Sequence, residues 1–194
     1  MNNPEYVKIN DIKLKINTDY RIALKCDEIS KDITISDYER SLAIIYLLFG
    51  EEGLKLKENY ERLLELAIIY LSCSQEKENN NDEPDMDFQQ DMELIRISFM
   101  SEYGFDLKNK ELHWWDFYNM INGLSNSEMG NCCILNRVRN LRTYDTSKIQ
   151  DKKEKKKIDE AKKHWSLKKK KIVLTTEQQK SVDSFYQLTG IERK

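Results

Sequence analysis

The amino-acid sequence predicts a mainly α-helical protein, a compact domain of about six to eight helices preceded by a short β-hairpin. Turn-forming residues are scarce, with six Gly and two Pro in 194 residues, whereas β domains need such residues at frequent turns. Apolar residues also recur at helical spacings along most of the chain, as in helices that are buried on one face. Hydrophobic residues make up 39% of the chain, which is enough for the core of one domain of ordinary size.

The hairpin is predicted for residues 1–17. Apolar residues occupy every second position on both sides of the dipeptide Asn10-Asp11, namely Val7, Ile9, Ile12, Leu14 and Ile16. Such alternation is typical of strands with one buried face, and Asn and Asp tolerate the backbone of a tight turn. A two-stranded hairpin is only marginally stable alone in water, so we expect it to pack on the helices.

Sequence signals mark the limits of the first three predicted helices. Thr18 is placed to cap the first helix. Ser36 and Glu39 form a capping box at the start of the second, in which each side chain accepts a backbone N–H of the first turn, and Gly50 is placed to end that helix. The third helix is predicted at about 57–72. Two apolar helices joined by a short loop should pack antiparallel.

Three more helices follow an acidic stretch at 75–86, which contains a Pro and is predicted to be an exposed linker. The fourth helix is predicted to start at Asp87, the fifth covers about 111–122 and the sixth about 127–141. Together with the earlier helices they make up a predicted core domain of residues 18–145. The side chains predicted for its interior are Leu42, Ile45, Phe49, Leu64, Ile68, Phe99, Trp114, Phe117 and Ile121.

The last part of the chain is predicted to form two helices outside this core. Residues 146–171 are rich in Lys and carry few apolar side chains, so we expect a solvated helix that packs along one thin stripe at most. Residues 172–194 are predicted to form a short helix that opens with a capping box at Thr175 and Gln178. Its apolar side chains are Val182, Phe185 and Leu188.

Composition limits the classes of protein to which the chain can belong. The sequence lacks a run of about 18 apolar residues, and its start lacks a basic region followed by an apolar segment, so we expect neither a membrane span nor a secretory signal. The four Cys show no CxxC spacing, and the two His are far apart in sequence. We therefore expect reduced thiols, as in a cytosolic protein, and neither a metal nor another cofactor.

Motifs of enzymes are also missing from the sequence. There is no Gly-rich phosphate loop, no GxSxG and no HExxH. A catalytic His needs a nucleophile and an orienting acid within reach, and no Ser, Cys or acid stands at a spacing that would provide them for His113. We therefore predict a protein without enzymatic activity.

The stretch ELHWWDFYNM, residues 111–120, concentrates aromatic residues on one predicted helix. Neighbouring residues on a helix lie about 100° apart, so the two adjacent Trp side chains point in different directions. Trp114 shares a face with Phe117 and is predicted to belong to the core, with His113 at the edge of that face. Trp115 shares its face with polar residues, so it packs either against another element of the same chain or against a partner.

Charge is unevenly distributed, although the net charge is only −2. Residues 76–93 contain eight acids and one Lys, a net charge of −7, and residues 148–171 contain twelve Lys and four acids, a net charge of +8. The interleaved acids favour a solvated helix face or a contact with an acidic protein. Clustered Lys can also bind nucleic-acid phosphates, with Trp165 stacking on a base, but Arg is missing from the segment and we favour the solvated face or the protein contact.

Two further kinds of charged contact stay open. The oppositely charged segments can join copies of the chain head to tail into a homo-oligomer. Three arginines near a predicted helix end, Arg137, Arg139 and Arg142, can bind acidic groups of a partner or simply stabilise the helix terminus.

Five segments, taken in order, resemble the bacteriophage Gp-fifteen family, whose members are encoded in the tail-gene region of phages and prophages of Gram-positive bacteria. They are INTDYRIAL at 16–24, YERSLAIIYLLFG at 38–50, DFQQDMELIRISFMSEYGFDL at 87–107, LHWWDFYNMINGL at 112–124 and RVRNLRTYD at 137–145. The resemblance covers roughly residues 7–167, and its most specific part is the block from YGFDL to LHWWDF. Residues after Lys171 lie outside the pattern.

The resemblance implies a protein made during tail assembly and similar to the tail assembly chaperones. Such proteins coat the tape measure protein in the host bacterial cytoplasm before the tube polymerises, and they help to recruit tail tube subunits. Two other classes stay open: a structural adaptor or connector of the tail, and a nucleic-acid-binding protein acting through residues 148–171. The residues that we predict for a contact surface are Trp115, Tyr118, Arg137, Arg139, Arg142, Lys155, Lys156 and Trp165.

Overall fold

The computed structural model describes residues 3–75, 84–126 and 132–168. Within these ranges the chain forms β1 (Tyr6–Ile9), β2 (Ile12–Lys15), α1 (Tyr20–Ser30), α2 (Asp37–Lys55), α3 (Tyr60–Leu71), α4 (Met92–Tyr103), α5 (Trp114–Asn122), α6 (Ile134–Thr143) and α7 (Lys152–Trp165). The predicted mainly α-helical fold with a short N-terminal hairpin is therefore confirmed. The predicted helix at 172–194 and most of the predicted linker at 75–86 lie outside the described residues.

The hairpin is antiparallel, with Tyr6 opposite Lys15 and Ile9 opposite Ile12. Asn10 occupies the turn with a φ of 51°, a left-handed conformation that Asn adopts more readily than most residues. The hairpin contacts α2 and α3, as a marginal two-stranded sheet requires. Three apolar side chains of this segment are buried in the core, Ile9, Leu14 and Ile16.

Local hydrogen bonds fix the starts of α1 and α2. Asp19 caps α1 in place of the predicted Thr18, because its carboxylate accepts the backbone N–H of Arg21 at 2.8 Å. The capping box predicted for α2 is present. Ser36 Oγ accepts the N–H of Glu39 at 3.2 Å, and the Glu39 carboxylate accepts the N–H of Ser36 at 2.8 Å.

Gly50 kinks α2 instead of ending it as predicted. Its φ of 66° and ψ of −160° lie in a region that is essentially restricted to Gly, and the helix then continues to Lys55. Two residues before the kink, the carbonyl of Leu48 accepts the backbone N–H of Asn17 at 2.8 Å. The end of the hairpin segment is therefore hydrogen-bonded to the middle of α2.

Aromatic rings from separate helices meet in the core around Phe117 of α5. The ring centroids of Tyr20, Phe99 and Trp114 lie 4.6, 5.5 and 5.8 Å from that of Phe117. Stacked rings at these distances add stabilisation to the burial of their apolar area. Most residues predicted for the interior are buried, namely Ile45, Phe49, Phe99, Trp114, Phe117 and Ile121.

The core prediction is wrong for Ile68, whose side chain is 54% exposed, and Leu42 and Leu64 are only half-buried. α3 buries Leu63, Ala67 and Tyr70 instead of Ile68. Ile68 follows Ala67 and therefore lies about 100° away around the helix axis. The flank of α3 that carries Ile68 is open in the described part of the chain.

α4 and α6 pack against each other in opposite directions. Near the start of α6, Leu135 donates its N–H to Ser98 Oγ of α4 at 3.2 Å. Near the end of α6, Arg142 binds Asp91, the residue just before α4, at 2.7 Å. α7 follows and contacts α6, and none of its side chains is fully buried.

Helices α4 and α6 begin several residues later than the sequence pattern predicts. α4 starts at Met92, because the Asp87 carboxylate caps a separate turn by accepting the N–H groups of Gln89 and Gln90 at 3.1 and 3.0 Å. α6 starts at Ile134, where Cys133 Sγ accepts the N–H of Asn136. The start predicted near residue 127 lies outside the described residues.

Candidate interaction surface

His113 has a structural role at the start of α5. Its Nδ1 accepts the backbone N–H of Trp115 at 3.0 Å and thereby caps the helix. Because Nδ1 is the acceptor, Nε2 carries the hydrogen and donates to the carbonyl of Pro4 at 3.1 Å. Both ring nitrogens are therefore occupied by backbone groups, as expected for an edge histidine with satisfied hydrogen bonds.

The adjacent Trp114 and Trp115 bind the C-terminal end of α3. Trp114 Nε1 donates to the carbonyl of Leu71 at 3.1 Å, and Trp115 Nε1 donates to the carbonyl of Tyr70 at 3.0 Å. The last carbonyls of a helix lack partners within the helix. Two neighbouring indoles thus supply donors to two neighbouring carbonyls, although the side chains leave α5 in different directions.

Trp115 and Tyr118, both predicted for a contact surface, pack on their own chain. Trp115 is half-buried, and its ring stacks on that of Tyr70 with a centroid distance of 6.3 Å. The Tyr118 hydroxyl donates to the Gln75 side-chain oxygen at 3.2 Å, and its ring lies 5.6 Å from that of Trp114. Of the two alternatives for Trp115, the structure therefore has the contact within the chain.

Burial makes the thiols near this end of α3 poor nucleophiles. Desolvation raises the pKa of Cys26 to about 12, and it raises the pKa of Cys73 to about 12 as well. The thiolate is the reactive form of cysteine. Both side chains therefore stay protonated near neutral pH and behave as small apolar groups of the core.

Arg142 joins three segments around a buried carboxylate. Its two terminal nitrogens each donate to one oxygen of Asp91 at 2.7 Å, and the Asp91 residue is only 1% exposed. One of these nitrogens also donates to the carbonyl of Asp85 at 2.8 Å, and Nε donates to the carbonyl of Trp165 at 2.7 Å. A two-bond pair of this kind is both stronger and more directional than a single contact.

The other two arginines of α6 also bind within the chain. Arg139 donates to the Asp85 carboxylate at 2.9 Å, and Arg137, although exposed, donates to the carbonyl of Cys132 at 2.9 Å. The prediction that these side chains belong to a contact surface does not fit Arg139 and Arg142. The guanidinium groups of these two arginines bind Asp85 and Asp91, which are distant in sequence.

Gln90 and Lys168 extend this junction to the end of α7. The Gln90 carboxamide donates to the carbonyl of Lys168 at 3.1 Å and accepts the N–H of Lys168 at 2.7 Å. Described parts of the acidic and the lysine-rich segments thus contact each other within one chain. This use of the acids weakens the case for joining separate copies through Asp85 and Asp91.

The remaining predicted contact residues, Lys155, Lys156 and Trp165, lie on α7. Lys155 is half-buried, whereas Lys156 is exposed and lies 3.9 Å from Glu160, at the limit of an ion pair. The Trp165 side chain is 37% exposed and makes an edge contact with the His164 ring. α7 therefore presents a solvent-facing lysine surface with one partly open Trp at its end.

Several apolar side chains that were not predicted for a contact surface are also exposed. Ile68 and Ile69 are adjacent on α3, and Ile69 is 48% exposed. Ile97 and Met100 on α4 are 44% and 46% exposed, and Tyr38 and Tyr46 of α2 are exposed as well. The sequence signal was available, because α3 and α4 carry apolar residues around most of their circumference, which predicts contacts on more than one side.

The described residues also bear on metal binding and on membrane crossing. Among residues 3–75, 84–126 and 132–168, no group of three or more His, Cys, Asp or Glu side chains is arranged to hold a metal ion. In the same ranges, none of the helices has the length and the apolar character that crossing a membrane would require.

The described helices thus form a domain whose open parts are apolar side chains and a lysine-rich helix, the kind of surface through which proteins contact each other. The profile of the family described as Bacteriophage Gp15 protein matches residues 1–167. The chain therefore belongs to this family and is a phage-associated protein, which confirms the resemblance found in the sequence. No curated protein and no solved structure matches the chain.

Proposed function

We propose that this chain is a non-enzymatic tail assembly protein that acts as a chaperone for the tape measure protein in the host bacterial cytoplasm. It binds the tape measure before the tail tube polymerises and leaves as tube subunits assemble. Membership of a phage family supports a role in phage assembly. The exposed apolar side chains of α3 support the activity.

The pair Ile68–Ile69 carries the proposal. Two adjacent branched side chains, each about half exposed on the same helix, offer apolar area that water leaves unfavourably solvated. A tape measure is a long helical chain with apolar stripes along its length. An apolar helix flank can bind such stripes repeatedly through a few anchors, with little demand on sequence and with ready displacement.

The lysine surface of α7 supports the same activity through a different force. Lys156 is exposed and Lys155 is half-buried on α7, a helix none of whose side chains is fully buried. Long-range attraction between complementary charges speeds encounter and orients partners more than it adds affinity. We propose that this surface meets acidic regions of the tape measure or of the tail tube protein.

Co-expression with the tape measure protein of the same phage tests the proposal. The tape measure should become soluble and should co-purify with the chain. Replacing both Ile68 and Ile69 by Ser should weaken co-purification by about tenfold or more, because two apolar contacts are lost. Replacing Glu61 and Glu65, on the same helix, by Ser is the matched control and should leave it unchanged.

Three results would redirect the proposal. Equal loss of binding in the Ile68/Ile69 and Glu61/Glu65 variants would show that the apolar pair is not the contact. Presence of the chain in purified particles would favour the structural adaptor. Affinity for DNA that falls by orders of magnitude with rising salt, and that depends on Lys155 and Lys156, would favour nucleic-acid binding.

A further inference from the structure

α7 is attached to the rest of the domain mainly by polar contacts. None of its fourteen residues is fully buried, and the half-buried ones are Lys155, Ile158, Ala161 and Lys162. Only Ile158 and Ala161 in this set are apolar, so burial of apolar area stabilises the attachment weakly. An isolated helix of this length is only marginally stable in water. The position of α7 therefore depends on hydrogen bonds to the rest of the domain.

The C-terminal end of α7 is held by two side chains from other segments. Arg142 Nε donates to the carbonyl of Trp165 at 2.7 Å. The Gln90 carboxamide accepts the N–H of Lys168 at 2.7 Å and donates to the carbonyl of the same residue at 3.1 Å. These hydrogen bonds lie at the exposed surface, where water can replace a lost partner. Each of them therefore stabilises the attachment only modestly.

Breaking these bonds leaves the junction beneath α7 in place. The two terminal nitrogens of Arg142 bind Asp91 at 2.7 Å through bonds that do not involve α7. Another contact of α7, from the Lys162 ammonium to the carbonyl of Tyr144, reaches the residue that directly follows α6. α7 can therefore leave its place while α4 and α6 remain joined.

A cleft of about 920 Å³ lies between the end of α7 and the segment before α4. Leu167 lines it on one side and Met86 on the other, and Arg142 and Gln90 line it as well. The end of α7 thus spans an open space, beside which its hydrogen bonds lie. A helix end that spans a cleft has fewer packed atoms to hold it than one that lies in a close-fitting groove.

We propose that α7 is a hinged strap, which opens from α6 as one unit while the rest of the domain stays folded. Residues 144–151, between α6 and α7, form the hinge. Opening widens the cleft, frees Arg142 Nε and the Gln90 carboxamide, and moves the lysine surface relative to the pair Ile68–Ile69. The strap thereby gives the lysine surface two positions, a property that goes beyond the proposed function.

Hydrogen exchange of the full chain, resolved residue by residue by NMR, tests the strap. We expect the amides of α7 to be protected about a hundredfold less than those of α5, because opening α7 needs less free energy than unfolding the core. The hydrogen-bonded amides of α7 should also have similar protection along the helix, since one opening exposes them all.

A matched pair of variants separates opening of the whole strap from fraying of its end. Gln90→Ala removes both bonds to Lys168 and should speed exchange about tenfold along all of α7, including Ile158 in its middle, while α5 stays unchanged. Gln89→Ala, at the neighbouring exposed position, is the control and should leave the exchange of α7 as it is.

Three results would overturn the proposal. Faster exchange in Gln90→Ala that is confined to residues 162–168 would mean that the end frays while the helix stays in place. Equal protection of α7 and α5 in the unchanged protein would mean that α7 opens only when the core unfolds. No change in Gln90→Ala, or equal acceleration in both variants, would mean that the bonds to Lys168 do not hold a strap.

These measurements use the isolated protein, so they are separate from the test with the tape measure. Failure of co-purification leaves the exchange rates of α7 unaffected. Failure of the exchange test likewise leaves the α3 contact in place.

Discussion

Helices α5 and α7 belong to one chain but contribute to it in opposite ways. α5 has nine residues, three of them buried, and the indoles and imidazole at its start bind backbone groups of other segments. α7 has fourteen residues and buries none of them. Its end is held by Arg142 and Gln90. The longer helix therefore contributes less to the stability of the core. This contribution depends on the width of the apolar face of a helix and not on its length.

The largest expected difference between the two regions concerns one aromatic residue in each. Phe117→Ala should lower the free energy of unfolding by about 3–5 kcal/mol, because it leaves a cavity among three stacked rings. Trp165→Ala should lower it by less than about 1 kcal/mol, because that side chain lies on the surface. Urea unfolding of both variants measures the two losses, and similar losses would mean that α7 belongs to the core after all.

The junction between α6, α7 and the segment before α4 should be nearly as sensitive. Arg142→Ala leaves the Asp91 carboxylate buried without its partner, and we expect a loss of about 3 kcal/mol. Arg137→Ala is the matched control on the same helix, and its exposed side chain should contribute less than about 1 kcal/mol. If both variants unfold at the same urea concentration, the buried pair does not stabilise this junction.

A smaller effect separates the two kinds of Trp. Trp115→Phe keeps an aromatic ring but removes the N–H donor to the carbonyl of Tyr70, so we expect a loss of about 1 kcal/mol. Among the described residues the Trp165 side chain has no assigned hydrogen bond, so Trp165→Phe should be close to neutral. Thermal unfolding of both variants gives the comparison, which an unchanged midpoint for Trp115→Phe would contradict.

We also expect the loss of stability at acidic pH to depend on an ion pair of α4 and not on the charged pairs of α7. Arg96 donates two hydrogen bonds to the Asp106 carboxylate at 2.7 Å and lowers the pKa of Asp106 to about 2. A lowered pKa in the folded state stabilises the fold above the ordinary pKa, and this contribution is lost as pH falls through about 4 to 2. In Asp106→Asn the unfolding midpoint should therefore fall less steeply over that range.

A control for this pH effect lies on α7. Glu160 approaches Lys156 only at 3.9 Å, and both side chains are mostly exposed. Glu160→Gln should leave the acid slope of the unfolding midpoint as it is in the unchanged protein, because exposed pairs contribute little. Parallel slopes for all three proteins would show that the pair Arg96–Asp106 adds nothing in acid.

Features that depend on neighbouring residues could be predicted from the sequence. The capping box of Ser36 and Glu39 needs a spacing of three and nothing else. The assignment of Trp114 to the core and of His113 to its edge followed from the helical period. Asp19 took the capping role in place of Thr18, an error of one residue that the preference of both side chains for this position makes easy.

Features that depend on distant residues could not be predicted in the same way. Arg142 and Asp91 are 51 residues apart, and Trp115 and Tyr70 are 45 apart. A sequence pattern shows that a charge or an indole is present but not which group it will meet. Ile68 illustrates the same limit, because the apolar arc of α3 is wider than the side that α2 and β1 cover.

The kink at Gly50 lies beside the point where the start of the chain is bonded to α2. Any other residue there would have to adopt a strained backbone, at a cost of about 1–3 kcal/mol. The Leu48 carbonyl beside it relies on the N–H of Asn17, so deleting the hairpin segment would remove a donor from a helix that lies far along the chain. Shortening the protein by residues 1–17 should therefore leave this part of α2 less firmly held, even though the helix itself is untouched.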